Sequence, residues 1–162
     1  MNITYLILGS NMGDRVQNLS IACTFLKKNA GTITGKSSVY ETQPWGFEPD
    51  TSFLNQVIRL ETLLNPELLL KKVLETEKQS GRERKRGKGY ESRILDIDIL
   101  FYGDKVIIVP DLVIPHPRMQ YRMFVLVPLA ELIPDYVHPV LNKTIFELKQ
   151  MCPDTGWVRK WS

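Results

Sequence analysis

The chain has little cysteine, little net charge and no long apolar run. Its two cysteines, Cys23 and Cys152, stand far apart and outside any metal-ligand spacing. That excludes a disulfide framework and a thiolate metal site, and leaves each as a small buried hydrophobe in a reducing cytoplasm. No stretch approaches the ~20 apolar residues of a membrane span. The opening Met1-Asn2-Ile3-Thr4-Tyr5-Leu6-Ile7-Leu8-Gly9 lacks the basic start and apolar length of a secretory signal. Internal repeats, low-complexity tracts and linkers are absent as well. A length of 162 residues, 43% hydrophobic and 24% charged, therefore predicts one soluble, cytoplasmic domain spanning residues 1–162.

The net charge is only +3, but it is unevenly placed. Between Arg82 and Arg93 six basic residues face two acidic ones, a local +4, so the rest of the chain carries −1. A nearly neutral protein with one basic loop predicts a local anion site rather than a surface that coats nucleic acid. That loop holds Gly81, Gly87 and Gly89 and leads directly into Leu95-Asp96-Ile97-Asp98-Ile99. Side chains alternate along a strand, so Asp96 and Asp98 share one face, roughly 6.6 Å apart along the strand, and the isoleucines share the other. Two like charges side by side on a strand repel, and bound divalent cations are the usual compensation. Mg²⁺ favours one or two carboxylates plus substrate phosphates, and a metal pair clamps the attacking and leaving oxygens of a phosphoryl transfer. The glycine-hinged basic loop then reads as a lid that brings arginines onto those phosphates.

Element order follows from periodicity. An apolar run at residues 4–8 predicts a buried strand, and Asp14 caps a helix with Leu19, Ala22, Cys23 and Leu26 inward. Strands follow at 38–42 and 53–60, separated by a structured loop at 44–50. Asn65-Pro66 opens a helix to Ser80, with Leu69, Val73, Thr76 and Glu77 near one face. Residues 94–102 form the next strand, a turn at 102–105 leads into a strand at 106–109, and 113–121 reads as irregular around His116. Helices are expected at 124–132 and 144–151. The order predicts an α/β (α+β) fold, a ferredoxin-like split β-α-β sheet with helices packed on it and C-terminal additions. Ala30-Gly31-Thr32-Ile33-Thr34-Gly35-Lys36-Ser37 nearly matches a phosphate-binding P-loop. However, a helix precedes it where a strand is needed and a β-branched segment follows, so it reads as a turn between helix and strand.

Phe53 and Asn55 share a strand face, placing a flat aromatic beside an amide, which suits a planar heterocycle with a hydrogen-bonding edge. These blocks, from Leu6-Ile7-Leu8-Gly9-Ser10-Asn11 through Tyr40-Glu41-Thr42-Gln43-Pro44, Phe53-Leu54-Asn55, Gly81-Arg82-Glu83-Arg84-Lys85 and Leu95-Asp96-Ile97-Asp98 to Ile114-Pro115-His116-Pro117-Arg118, resemble the 6-hydroxymethyl-7,8-dihydropterin pyrophosphokinase family of folate biosynthesis. The resemblance covers the chain to about Leu132.

The resemblance implies transfer of pyrophosphate from ATP to the pterin hydroxymethyl oxygen with release of AMP. It implies two Mg²⁺ on Asp96 and Asp98, and Arg82 and Arg93 stabilising the transferring group. Glu77, Arg84, Tyr90, Arg93, Ile99, His116 and Arg122 would surround ATP. Phe53 and Phe124 would sandwich the pterin, Asn55 would bond its edge, and Thr42, Gln43, Pro44 and Trp45 would complete its pocket. No residue stands out as a dedicated general base. Where the family often has Trp-Gly-Pro-Arg, this chain has Tyr90-Glu91-Ser92-Arg93, and Trp45 replaces a smaller residue. The implied partners are these small molecules, with a monomer expected and other folate-pathway enzymes as possible neighbours; nucleic acid and membrane are not expected. Two other readings stay open on the residues alone. An RNA-binding module on the same sheet would show Mg²⁺-independent filter binding, and a different two-metal phosphotransferase would release ADP.

Overall fold

The computed structural model describes residues 1–43, 52–80 and 94–162. The element order is β1 (Asn2–Ser10), α1 (Arg15–Asn29), β2 (Thr32–Lys36), β3 (Tyr40–Thr42), β4 (Phe53–Thr62), α2 (Pro66–Gln79), β5 (Asp96–Tyr102), β6 (Ile107–Val109), β7 (Leu112–Ile114), α3 (Met123–Leu132), α4 (Ile145–Met151) and β8 (Val158–Lys160). An antiparallel sheet runs β5-β1-β4-β3-β8, with β2 also on β4, and β6 and β7 form a separate hairpin.

β1 lies between β4 and β5. Both its faces are covered, so Tyr5, Leu6, Ile7 and Leu8 are all buried and the strand reads as a continuous apolar run rather than an alternation. Leu6 and Leu8 pack with Leu19 and Leu26 of α1 and Leu69 and Val73 of α2. Tyr5 and Ile7 pack on the other side with Val57, with Leu126 and Leu129 of α3, and with Ile145 and Leu148 of α4. Among the described residues the result is a mixed α/β body with two helices on each sheet face. Among the described residues no helix is long and apolar enough to cross a membrane.

The helices begin where their caps predict. The Asp14 side chain accepts from Gln17 N, and Asn65 accepts from Leu68 N ahead of Pro66. The inward faces are those expected, including Thr76 and a buried Glu77 on α2. Three strands differ from expectation. Residues 32–36, read as part of a turn, form β2, because their β-branched alternation pairs with β4. Gly31 is needed there because a Cβ would sit 2.1 Å from Glu61 O as the chain crosses β4. Residues 112–114, read partly as irregular, form β7, and β8 had no expectation at all. Both are three residues long, too short to show a period. The loop expected at 44–50 lies outside the described residues.

Candidate active site

One rung of the sheet organises the site. Asp96 stands opposite Gly9 on β1, Gly9 opposite Asn55 on β4, and Asn55 opposite Tyr40 on β3. Two interstrand steps put the backbones of Asp96 and Asn55 ~10 Å apart. Strand alternation turns Asp96 and Asp98 to the α3 side of the sheet, while Ile97 and Ile99 pack among the α1 and α2 side chains at 5% and 6% exposure. Gly9 is the gap between the two ends. A Cβ there would lie 2.7 Å from Asn55 Oδ1, so the buried amide keeps its position only over a glycine.

Asn55 is 4% exposed, and its Nδ2 donates to Thr42 Oγ1 at 2.9 Å. That bond fixes the amide's orientation and turns its carbonyl oxygen toward Gly9. Phe53 and Val57 share the face of Asn55 by alternation, and Val57 belongs to the cluster against which Phe124 packs. Thr42, Phe53, Asn55 and Phe124 therefore lie on one side of the sheet. The Arg122 guanidinium lies 5.7 Å from the centre of the Phe124 ring. Gln43 sits at the end of β3, its N–H donating to Trp157 O at 3.3 Å.

β5 is the last strand of the described sheet, so its outward N–H groups need partners from elsewhere. Glu77, 3% exposed on α2, accepts from Ile97 N at 2.9 Å, between the two aspartates. This bond fixes the height of Asp96 and Asp98 against α2. His116 N donates to Leu100 O at 3.0 Å, just past the aspartates. Its Nδ1 accepts from Arg118 N at 3.3 Å, which leaves the ring proton on Nε2. That Nε2 is 3.9 Å from Asp98 Oδ2. Burial, then the charges of Arg122 and Arg118, push the imidazole down to about 4, against an opposing pull from Asp96. At neutral pH the ring is uncharged, and the approach to Asp98 is too long for a direct hydrogen bond. His116 thus presents a neutral N–H beside the carboxylates. A cleft of about 280 Å³ opens at this edge, lined by Leu70, Val73, Ile99 and Leu112 with Asp98 and His116, an apolar slot ending in polar groups.

Among the described residues no group of three His, Cys, Asp or Glu side chains forms a metal cage. Two hard carboxylates on an accessible strand face suit Mg²⁺, which keeps waters and takes phosphate oxygens for its remaining positions. Six expected site residues (Pro44, Trp45, Arg82, Arg84, Tyr90 and Arg93) lie outside the described residues.

Sequence reasoning missed several groups. Gly9 carried a signal, a glycine inside an apolar strand. The network around Glu41 did not: Ser52 Oγ donates to it at 2.7 Å, Arg159 Nη2 lies 2.7 Å away, and Arg15 reaches both it and Ser52. The Ser52 and Arg159 hydrogen bonds lead in holding the Glu41 carboxyl below its usual range. Arg159 is 118 residues from Glu41, and no local pattern announces such a pairing.

Residues 5–134 match the family model described as 7,8-dihydro-6-hydroxymethylpterin-pyrophosphokinase. The chain is 44% identical over 132 residues to a 2-amino-4-hydroxy-6-hydroxymethyldihydropteridine pyrophosphokinase of Bacillus subtilis, covering 81% of this chain and 78% of that one. It is 41% identical over 149 residues to the Aquifex aeolicus protein of the same name, covering 92% and 91%. Folic acid synthesis protein FOL1 of Dictyostelium discoideum is 38% identical across 96% of this chain, which spans 23% of that longer protein. Among solved structures, a Plasmodium falciparum HPPK-DHPS superposes with a TM-score of 0.77 at 21% identity, over 93% of this chain and 45% of that one. At that identity the likeness concerns the fold.

Proposed function

The chain belongs to the 7,8-dihydro-6-hydroxymethylpterin-pyrophosphokinase family and is an ATP-dependent pyrophosphoryl transferase of folate biosynthesis, and we propose that one sheet rung divides its work between pterin binding and transfer. The observation that carries this reading is the Asp96–Gly9–Asn55 rung. It sets the Asn55 amide, which we assign to the heterocycle, ~10 Å from Asp96, which with Asp98 on the same strand face we assign to the metal. A pterin held by its amide edge at Asn55 and stacked between Phe53 and Phe124 would direct its hydroxymethyl group toward Asp96 and Asp98.

Asp96 and Asp98 are the residues that would hold Mg²⁺, and we favour two ions. Bound there, the metal supplies neutralisation of phosphate charge and acidifies the attacking hydroxyl. The chain's own groups do the rest. The apolar slot beside Ile99 takes the nucleotide base, and the neutral His116 Nε2–H donates to a phosphate oxygen without charge compensation. Arg122 adds positive charge beside the Phe124 ring. Arg82 and Arg93 take the charge that builds on the transferring group, and Arg84 and Tyr90 close over ATP. In-line transfer to an alcohol is mainly a positioning and electrostatic problem, so no dedicated general base is assigned. We read β1-α1-β2/β3-β4-α2-β5 as a ferredoxin-like core and residues 1–162 as a single pyrophosphokinase domain. Relatives such as HPPK-DHPS carry further chain, and this chain spans less than half their length.

The test is product analysis after incubation with Mg²⁺, ATP and 6-hydroxymethyl-7,8-dihydropterin. AMP and the pterin diphosphate are expected in equal amounts. ADP as the nucleotide product would overturn this reading in favour of a different phosphotransferase.

A further inference from the structure

The family model stops at residue 134, yet the chain's last residues return to the site. Helix α3 begins without a cap of its own, since its N-cap residue Arg122 makes no side-chain capping bond. The cap comes from 31 residues downstream: Asp154 Oδ2 accepts from Met123 N at 3.0 Å. A carboxylate at a helix N-terminus satisfies an orphan N–H and suits the positive end of the helix dipole. The other oxygen, Asp154 Oδ1, accepts from Gly156 N at 2.8 Å, so one side chain ties the tail's own turn to the first residue of α3. The next residue of α3 is Phe124.

The same segment then crosses to the far side of the pocket. Trp157 O accepts from Gln43 N, and Val158 stands opposite Thr42 in the β3–β8 pairing. Thr42 Oγ1 in turn holds the Asn55 amide. The strand is anchored beyond this point by Arg159 on Glu41 and by Trp161 N donating to Val39 O at 2.9 Å. Residues 154–158 thus join the aromatic wall at Phe124 to the amide wall at Thr42 and Asn55 by a covalent path five residues long.

We propose that this tail sets the spacing across the pterin pocket, and that Asp154 is a positioning residue acting through Phe124. The proposal rests on the reading of Phe53, Asn55 and Phe124 as the pterin pocket. Loss of the Asp154 carboxylate frees the first turn of α3 and lets the aromatic wall move, while Asp98, His116 and the nucleotide slot keep their supports.

The experiment is calorimetric titration of the full chain with 6-hydroxymethylpterin and, separately, with a non-hydrolysable Mg-ATP analogue. Asp154→Ala is expected to weaken pterin binding about tenfold, equivalent to ~1.4 kcal/mol and comparable to a lost helix cap, with a smaller loss of nucleotide binding, about threefold at most, through Arg122 at the same helix start. Asp154→Asn has a single acceptor oxygen, so it keeps only one of the two bonds to Met123 N and Gly156 N, and is expected to recover only part of the loss. If Asp154 acts through Phe124, Asp154→Ala adds nothing to pterin binding in a Phe124→Ala background. Pterin binding unchanged in Asp154→Ala, equal losses for both ligands, or full additivity with Phe124→Ala would overturn the proposal. Gly156→Ala covers a failure of Asp154→Ala to fold. Its Cβ would meet Asp154 Oδ1 at 3.1 Å and Gln43 Oε1 at 3.6 Å, and the expected outcome is at least threefold weaker pterin binding with nucleotide binding intact; unchanged pterin binding again overturns the proposal. Phe124→Ala on its own separates the two claims. If it leaves pterin binding unchanged, the pocket reading fails and the tail's role fails with it. If it weakens binding while Asp154→Ala does not, only the tail's role fails.

Discussion

Gly9 shows how a missing side chain can set a site. Its neighbours across the sheet are Asp96 on one strand and Asn55 on the other, and the space a Cβ would fill is occupied by the Asn55 carbonyl oxygen. Gly9→Ala should therefore turn the Asn55 amide away from its bond to Thr42. Overpacking of this size costs ~1–3 kcal/mol. The expected outcome is pterin affinity reduced tenfold or more, with nucleotide affinity nearly unchanged, both read by titration calorimetry. Equal loss of both ligands would mean that the sheet itself had been disturbed. His116 illustrates the same economy in charge: burial and two arginines keep it neutral, so it presents an N–H beside the Asp98 carboxylate without adding a charge.

At the scale of elements, β5 carries the aspartates and α2 holds β5 in place. The contact is the Glu77 carboxylate on Ile97 N. Removing an acceptor from a buried N–H costs ~1–3 kcal/mol, so Glu77→Ala should lower the melting temperature and reduce turnover together. Glu77→Gln keeps an acceptor at the same reach. If the contact matters as a hydrogen bond, Gln restores both stability and most of kcat; if ATP needs the carboxylate charge, Gln restores stability alone. Thermal unfolding paired with steady-state assays of the two variants separates these roles.

Elements with a clear period were legible in the sequence. α1 and α2 showed caps and apolar faces, and β5 showed two acids against buried isoleucines. β7 and β8 were not legible, because three-residue strands have no period and are held by distant partners. The P-loop lookalike at 30–37 was recognised as no P-loop, but its strand β2 was absorbed into a turn. Gly31 there serves a close backbone crossing rather than a phosphate.

In the whole molecule, the sheet has helices on both faces, and several of the candidate site residues gather on the α3 side of one end. Of the candidate residues, Thr42, Phe53, Asn55, Asp96, Asp98 and Phe124 lie on that side, as their strand parity foretold for Phe53 with Asn55 and for Asp96 with Asp98. The frame around them, Asp154 and Arg159 included, was invisible because Asp154 meets Met123 and Arg159 meets Glu41, partners 31 and 118 residues away along the chain.

The α4 side also sets a pH limit on the fold. His138 is 4% exposed, its Nδ1 accepts from Val140 N and Leu141 N at 3.1 Å, and burial pulls its pKa down. Above ~6.5 both folded and unfolded states leave this histidine neutral. As pH falls below that value the unfolded chain takes up a proton that the folded one resists, so stability is lost. His116, pushed down to about 4, acts in the same direction, so His138→Asn, which keeps an acceptor for the turn, should make the fall in melting temperature between pH 7.5 and 5 shallower without abolishing it. An unchanged slope would place the acid sensitivity elsewhere.

The proposed function gives separate tasks to the two ends of this part of the sheet, binding at Asn55 and transfer at Asp96 and Asp98. The measurement that reaches it most directly is single-turnover AMP formation by Asp98→Ala with pterin and Mg-ATP at saturation, on protein whose circular dichroism matches the parent and whose pterin affinity has been titrated. Pterin affinity is expected within about threefold of the parent, since the change removes no pterin contact, with a rate lowered by at least 10²–10³-fold, on the order of losing a main electrostatic stabiliser. A rate within tenfold of the parent, or a loss of pterin affinity large enough to explain the slower rate, would contradict it.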